Sequence, residues 1–303
     1  MPVSAAKGGR MTRLDDPEGG VHVQARSVRR LLVALSLVTM VVLAGIGVAP
    51  QSGAASRWAS VPVATIHPGV QTVTPIGQCT ANFVYFQGAD VYIGQAAHCA
   101  GTGADTDTDG CSTGSLPLGT PVQIEGATKP GVMVYSSWIA MKAAHEQDPA
   151  TCAFNDFALV RVDPADRARV NPTVPFWGGP VGISRTGTYP LEPVYSFGNS
   201  SLRQGIDLFK PKKGISFGDD FGGWTHLAYQ LLPGIPGDSG SPLLDSHGRA
   251  VGILSTIDLF PSTGGNSFAD ADKTLLYARA HGFPNLLLAH GTRPFNPNQL
   301  PLG

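Results

Sequence analysis

Glycine and proline constrain this chain more than any other feature. With 38 Gly and 25 Pro in 303 residues, about a fifth of the sequence punctuates the backbone, and no Gly-X-Y period makes it collagen-like. Long helices do not survive such spacing, so many turns imply many short strands. Short β-prone runs separated by Gly, Pro, Asn and Asp clusters recur from residue 79 onward. A first group covers 81–86, 91–95, 122–125, 132–135 and 157–162, and a second covers 194–197, 224–232, 241–244 and 250–256. Between the groups, 171–182 (NPTVPFWGGPVG) has no periodicity and reads as a connector. Residues 270–281 (DADKTLLYARAH) carry apolar residues at helical spacing behind acidic N-terminal residues, with Gly282 as a stop, and form the one helix expected beyond the N-terminal segment. The expectation is an all-β chain with a C-terminal helix.

Composition excludes several function classes. Hydrophobic residues are 42% and charged residues 14%, so the chain can bury a core and lacks the charge density of disordered or nucleic-acid-binding segments. A net charge of -1 supplies no attraction for a polyanion.

Residues 31–48 (LLVALSLVTMVVLAGIGV) form an uncharged apolar run. Upstream, Lys7, Arg10, Arg13, Arg26, Arg29 and Arg30 outnumber Asp15, Asp16 and Glu18, which holds that flank in the cytoplasm and sends the remainder across the membrane. The run is short for a spanning helix, and Ser52-Gly53-Ala54-Ala55 suits signal peptidase, so residues 1–55 read as a signal peptide cleaved after Ala55. An uncleaved anchor on the outer face of the membrane is the alternative. Arg29-Arg30 also gives the segment a twin-arginine look, a pair common in ordinary signals. All four cysteines, Cys79, Cys99, Cys111 and Cys152, fall in the exported part, where two disulfides are expected ahead of free thiols or zinc.

Three strings carry chemistry: GQAAHCA around His98, NDFALVRV around Asp156 and GDSGSPL around Ser239. Each is weak alone. In this order they resemble the chymotrypsin-like (trypsin-fold) serine peptidases of the secreted bacterial type, over roughly residues 79–281. The resemblance implies two six-stranded antiparallel β-barrels: 56–170 carrying His98 and Asp156, a connector at 171–182, and 183–303 carrying Ser239 and the terminal helix. It implies Ser239 as nucleophile, His98 as base and then acid, Asp156 as the group orienting the imidazole, and the N–H groups of Gly237 and Ser239 as an oxyanion hole. A serine hydroxyl is a poor nucleophile at neutral pH, which is why a base must accompany it. The implied activity is a secreted, monomeric endopeptidase acting on proteins or peptides without cofactor or metal. Its rivals are an inactive protease-fold binding protein and a membrane-tethered regulatory protease. The resemblance also pairs Cys79 with Cys99, leaving Cys111 for Cys152, although four cysteines allow three connectivities.

The sequence departs from the family at two places. Animal members are activated by a new N-terminus, Ile/Val-Val-Gly-Gly, whose ammonium pairs with the Asp ahead of the nucleophile; no such segment occurs here, so Asp238 needs another partner. The pocket wall six residues before Ser239 is Pro233, which disfavours Lys or Arg at the cleavage site because nothing there balances a buried cation. Ser255, Thr256 and Ile257 are the expected substrate-binding strand, with Ile257 narrowing the pocket toward small apolar side chains and Asp258 close by. Asp105-Thr106-Asp107-Thr108-Asp109-Gly110 copies the opening of an EF-hand loop, but Leu116 stands where the bidentate Glu belongs, so a solvated loop tip is expected. His67, His145, His226, His247 and His290 lack a motif and read as surface or packing residues.

Overall fold

The computed structural model describes residues 57–104, 107–258 and 265–301, with the backbone alone at 257 and 258. The expected signal peptide and Asp105 lie outside these residues. In chain order the strands are β1 (Gln71–Thr74), β2 (Gly77–Thr80), β3 (Val84–Gln87), β4 (Asp90–Gln95), β5 (Pro121–Ile124), β6 (Gly131–Ser136), β7 (Ala158–Arg161), β8 (Pro193–Phe197), β9 (Pro211–Asp220), β10 (Thr225–Gln230), β11 (Pro242–Leu244), β12 (Ala250–Asp258), β13 (Gly265–Asp270) and β14 (Leu287–Leu288). Three α-helices join them: α1 (Ser137–Ala144), α2 (Pro149–Phe154) and α3 (Ala271–Ala280).

β8–β13 close into a six-stranded antiparallel barrel in the order β10-β13-β12-β11-β8-β9. The earlier strands build an antiparallel sheet of eight, β14-β3-β4-β7-β6-β5-β1-β2. That sheet exceeds the expected six: β1–β7 already make seven, and the chain's last segment returns to add the eighth, Leu287 and Leu288 of β14 pairing with Phe86 and Tyr85 on the free edge of β3. A bound edge is a protected edge.

Period-2 alternation assigns the two faces of the strands to different cores. On β4, Val91 and Ile93 join one buried cluster with Met133, Val160 and Trp138, while Tyr92 joins a second with Phe157, Leu159 and Trp177. That second cluster also takes Tyr195, Leu244, Ile253 and Leu275, so it lies between the sheet, the barrel and α3. Val194, Val251, Leu254 and Phe268 fill the barrel itself. Burial on both faces explains why these strands read as apolar runs and not as strict alternation. Within residues 171–182, Trp177 donates from Nε1 to Ser196 O at 2.7 Å and anchors an otherwise irregular path.

α3 begins where its sequence indicates: Asp270 accepts from Lys273 N at 2.6 Å as N-cap. It is not the only helix. α2 is capped by Asp148, which accepts from Thr151 N at 2.8 Å ahead of Pro149 in the first turn, and the apolar side of α1 buries Trp138 and Met141. Their Asp-Pro and Ala-rich sequences resemble turns at these lengths, and tertiary burial decides the matter.

Candidate active site

His98 sits in a single 3₁₀ turn, Ala97–Ala100, directly after β4. The Cys79–Cys99 disulfide fastens that turn to β2, and Thr74 Oγ1 donates to Cys99 O at 2.8 Å. Asp156 stands two residues before the start of β7. Ser137 Oγ brackets it, donating to Asn155 O at 2.6 Å and accepting from Phe157 N at 3.0 Å. The second disulfide, Cys111–Cys152, holds α2 just upstream.

These anchors bring the carboxylate onto the imidazole. Asp156 Oδ2 lies 2.7 Å from His98 Nδ1, and Oδ1 accepts from His98 N at 2.9 Å. Ser255 Oγ, from β12, donates to Oδ2 at 2.6 Å, which identifies one expected strand residue as a support for Asp156. Asp156 is buried. Burial alone would push its carboxyl up, but the charge and hydrogen bonds of His98, with Ser255, hold it below the usual carboxylate range. An ionised carboxylate only accepts, so Nδ1 of His98 carries a proton. The His98 side chain remains about a quarter exposed (26%).

Ser239 lies in a tight turn stitched to both halves. Its carbonyl accepts from Thr80 N at 2.8 Å, and Gly240 N donates to Leu254 O at 2.7 Å, one residue from Ser255. Gly240 has φ +86°, and a Cβ there would come within 2.5 Å of Thr80 O and 2.9 Å of Ala96 N, so only glycine lets the serine turn lie against the strand that leads to His98. Gly237, at φ +92°, is held to glycine mainly by that backbone conformation, since a Cβ there would meet the movable Gln78 Oε1 at 2.5 Å. Its carbonyl accepts from Thr80 Oγ1 at 2.8 Å and Gln78 Nε2 at 3.0 Å. The N–H groups of Asp238, Gly240 and Ser241 bond to Ile235, Leu254 and Asp238 carbonyls. Among the described residues no acceptor engages the N–H groups of Gly237 and Ser239.

Asp238 has the partner that the sequence could not supply. Fully buried, it accepts from Lys212 Nζ at 2.7 Å and from Arg203 Nη2 at 3.2 Å through Oδ2, and from Ser200 N at 2.9 Å through Oδ1. Lys212, on β9, is also fully buried. Burial pushes its ammonium down, the Arg203 charge adds to that, and Asp238 opposes both, with a net lowering. Lys212 could have been suspected only if PKKGISFGDD had been read as a strand, and its lysines, glycines and aspartates argue against one.

Of the other expected pocket residues, Pro233 is half-buried and its carbonyl accepts from Arg203 Nη2 at 2.7 Å. Thr256 pairs with Ser267, and Ile257 pairs with Asn266 along the backbone; the side chains of Ile257 and Asp258 lie outside the described residues. Among the histidines, His226 is no ordinary packing residue: fully buried, it sits 2.6 Å from Asp219 through Nδ1 and 2.9 Å from Asp270 through Nε2. The candidate metal-ligand groups are already committed. Two consist mainly of disulfide cysteines, and in the third Asp245 pairs with Arg249 at 2.6 Å while Glu192 accepts from Ser246 Oγ at 2.6 Å. In the EF-hand-like stretch, Asp107 and Asp109 accept from the loop's own backbone N–H groups.

No protein-family model matches the chain, and no curated protein does. Solved structures similar to it include Protease A of Thermobifida fusca, with 19% identity over 75% of this chain and 100% of that one and a TM-score of 0.48. A glutamic acid specific serine protease follows at 14% identity, 74% and 100% coverage and TM-score 0.47. Cellulomonas bogoriensis chymotrypsin shows 18% identity, 74% and 98% coverage and TM-score 0.42.

Proposed function

We propose that this chain is a secreted serine endopeptidase that cleaves proteins or peptides through His98, Asp156 and Ser239. The observation that carries the reading is the buried carboxylate of Asp156, bound to Nδ1 and N of His98 and to Ser255 Oγ. That arrangement fixes one imidazole tautomer and stabilises the imidazolium that forms when Nε2 accepts a proton.

In the proposed mechanism Ser239 Oγ attacks the scissile carbonyl while His98 Nε2 removes the hydroxyl proton. The carbonyl oxygen becomes an oxyanion facing the uncommitted N–H groups of Gly237 and Ser239. Collapse transfers the His98 proton to the leaving amine and leaves an acyl-enzyme on Ser239. Water, deprotonated by His98, then releases the acid product and restores the hydroxyl. Asp156 stays ionised throughout. The Asp238–Lys212 pair keeps the Gly237–Ser239 turn in shape without a new N-terminus, so the enzyme needs no activating cleavage at that position. Residues 1–55 serve as the export signal, and 56–170 and 183–303 as the two halves that meet at the site.

The test is hydrolysis of an unfolded protein substrate by the exported chain beside Ser239→Ala and His98→Ala. The expected loss is about 10³-fold or more in kcat for each. Equal turnover by the Ser239→Ala variant would overturn the reading.

A further inference from the structure

On the peptidase reading above, the side chain preceding the cleaved bond would enter between the segment from Pro233 to Ser239 and the β12–β13 ladder. They touch. Gly234 N donates to Asn266 Oδ1 at 2.6 Å, and Asn266 Nδ2 reaches back to Gly234 O at 3.5 Å. Asn266 has no exposed surface, and Leu254 is 3% exposed. A Cβ built on Gly234 would lie 2.7 Å from Leu254 Cδ2 and 3.1 Å from Asn266 Nδ2. The side chains of Leu254 and Asn266 therefore fill the space directly in front of Gly234.

We infer that Asn266, locked onto Gly234 and backed by Leu254, plugs the primary side-chain pocket and restricts cleavage to bonds that follow Gly or Ala. This rests on the peptidase reading above and deepens it. Entry of a larger side chain would have to displace the Asn266 amide, leaving Gly234 N–H buried without an acceptor; such an orphaned donor costs about tenfold to a hundredfold in kcat/KM. Charge adds to shape. Arg203 holds the Pro233 carbonyl from one side, so a lysine or arginine arriving there meets a guanidinium and no free carboxylate: Asp238 is shared between Arg203 and Lys212. Asn266 and Leu254 act here as specificity-determining residues, and a merely structural role for them would leave the ranking of substrates unchanged.

The experiment measures kcat/KM for a peptide series that differs only in the residue before the scissile bond, Gly, Ala, Leu, Phe, Glu or Lys. It uses the exported chain, Asn266→Gly and Leu254→Ala, each titrated for active sites with a fluorophosphonate. For the wild type, Ala should exceed Leu, Phe, Glu and Lys by at least tenfold. The Leu-to-Ala ratio should rise about tenfold in Asn266→Gly and by a smaller factor in Leu254→Ala. Leu254→Ala keeps the Gly234–Asn266 bond, so it carries the test if Asn266→Gly does not fold. Labelled wild type that cleaves after Phe or Lys as fast as after Ala overturns the plug and leaves the peptidase reading standing. A ratio unmoved by both variants does the same. Absence of labelling on Ser239 in the wild type overturns both.

Discussion

Both disulfides, Cys79–Cys99 and Cys111–Cys152, lie in the half of the chain that builds the eight-stranded sheet, whereas the two fully buried cations among the described residues, Lys212 and His226, lie in the barrel half. Covalent cross-links hold the turn of His98 and the helix ahead of Asp156. In the barrel the same task falls to buried charge: Lys212 on Asp238 beneath the Ser239 turn, and His226 between Asp219 and Asp270 where β9, β10 and the start of α3 meet. The two devices fail differently. A disulfide yields to reductant and ignores pH, while a buried ion pair ignores reductant and holds only while both partners are ionised. The candidate catalytic side chains come from both halves, so each agent should reach activity by its own route.

The largest effect is expected from Lys212→Met. It removes the cation that lies 2.7 Å from a fully buried Asp238 and leaves the carboxylate to Arg203, so urea denaturation should show a loss of about 3–5 kcal/mol, with loss of Ser239 reactivity. Next come the disulfides. Loop-closure entropy assigns about 4 kcal/mol to Cys111–Cys152, 41 residues apart, and about 3 kcal/mol to Cys79–Cys99, 20 apart, measurable on the paired serine variants. The order should reverse for activity, because Cys99 adjoins His98.

The pH test separates the halves. In the fold His226 titrates at about 9 against 6.5 for the free side chain; burial opposes its charge, and the bonds to Asp219 and Asp270 overcome that opposition. A raised pKa means stability fully present below 6.5 and lost as pH climbs through 9, worth about 3 kcal/mol. Thermal melts between pH 6 and 10 should therefore fall for the wild type, and His226→Gln should flatten that slope while both disulfides stay intact. Asp219 is shifted below its ordinary value once its bonds to His226 and Thr188 outweigh burial, so its share is lost only under acid. The smallest effect is expected at the exposed Lys129–Asp163 pair, 3.9 Å apart: Lys129→Ala should change stability by less than about 0.5 kcal/mol. A larger value there would blur the distinction between buried and surface charge.

What the sequence made legible was local. The strings around His98 and Asp156 name two residues that meet, and Asp270 announces the start of α3, because both signals depend on neighbours in the chain. β4, β5, β6, β8 and β12 are visible as β-prone runs. β9 and β13 are not: PKKGISFGDD and GNSFAD are polar and glycine-rich, and they become strands because each has a partner on both sides in a closed barrel. The partners of Asp238 and Gly234 that sequence reasoning missed sit on or against those two strands. Lys212 rides on β9 and Asn266 on β13, and Arg203 comes from the loop leading into β9. His226 likewise shows nothing of its role until β9 and α3 supply Asp219 and Asp270. Long-range pairing creates these contacts, and no local pattern encodes it.

The most direct measurement is intact-mass analysis of the exported chain after exposure to a fluorophosphonate, with peptide mapping of any adduct. One adduct, on Ser239, absent from His98→Ala and Ser239→Ala, is the expected result. An unmodified wild-type chain, or an adduct that persists in Ser239→Ala, would contradict the assignment of Ser239 as a nucleophile activated by His98 and Asp156.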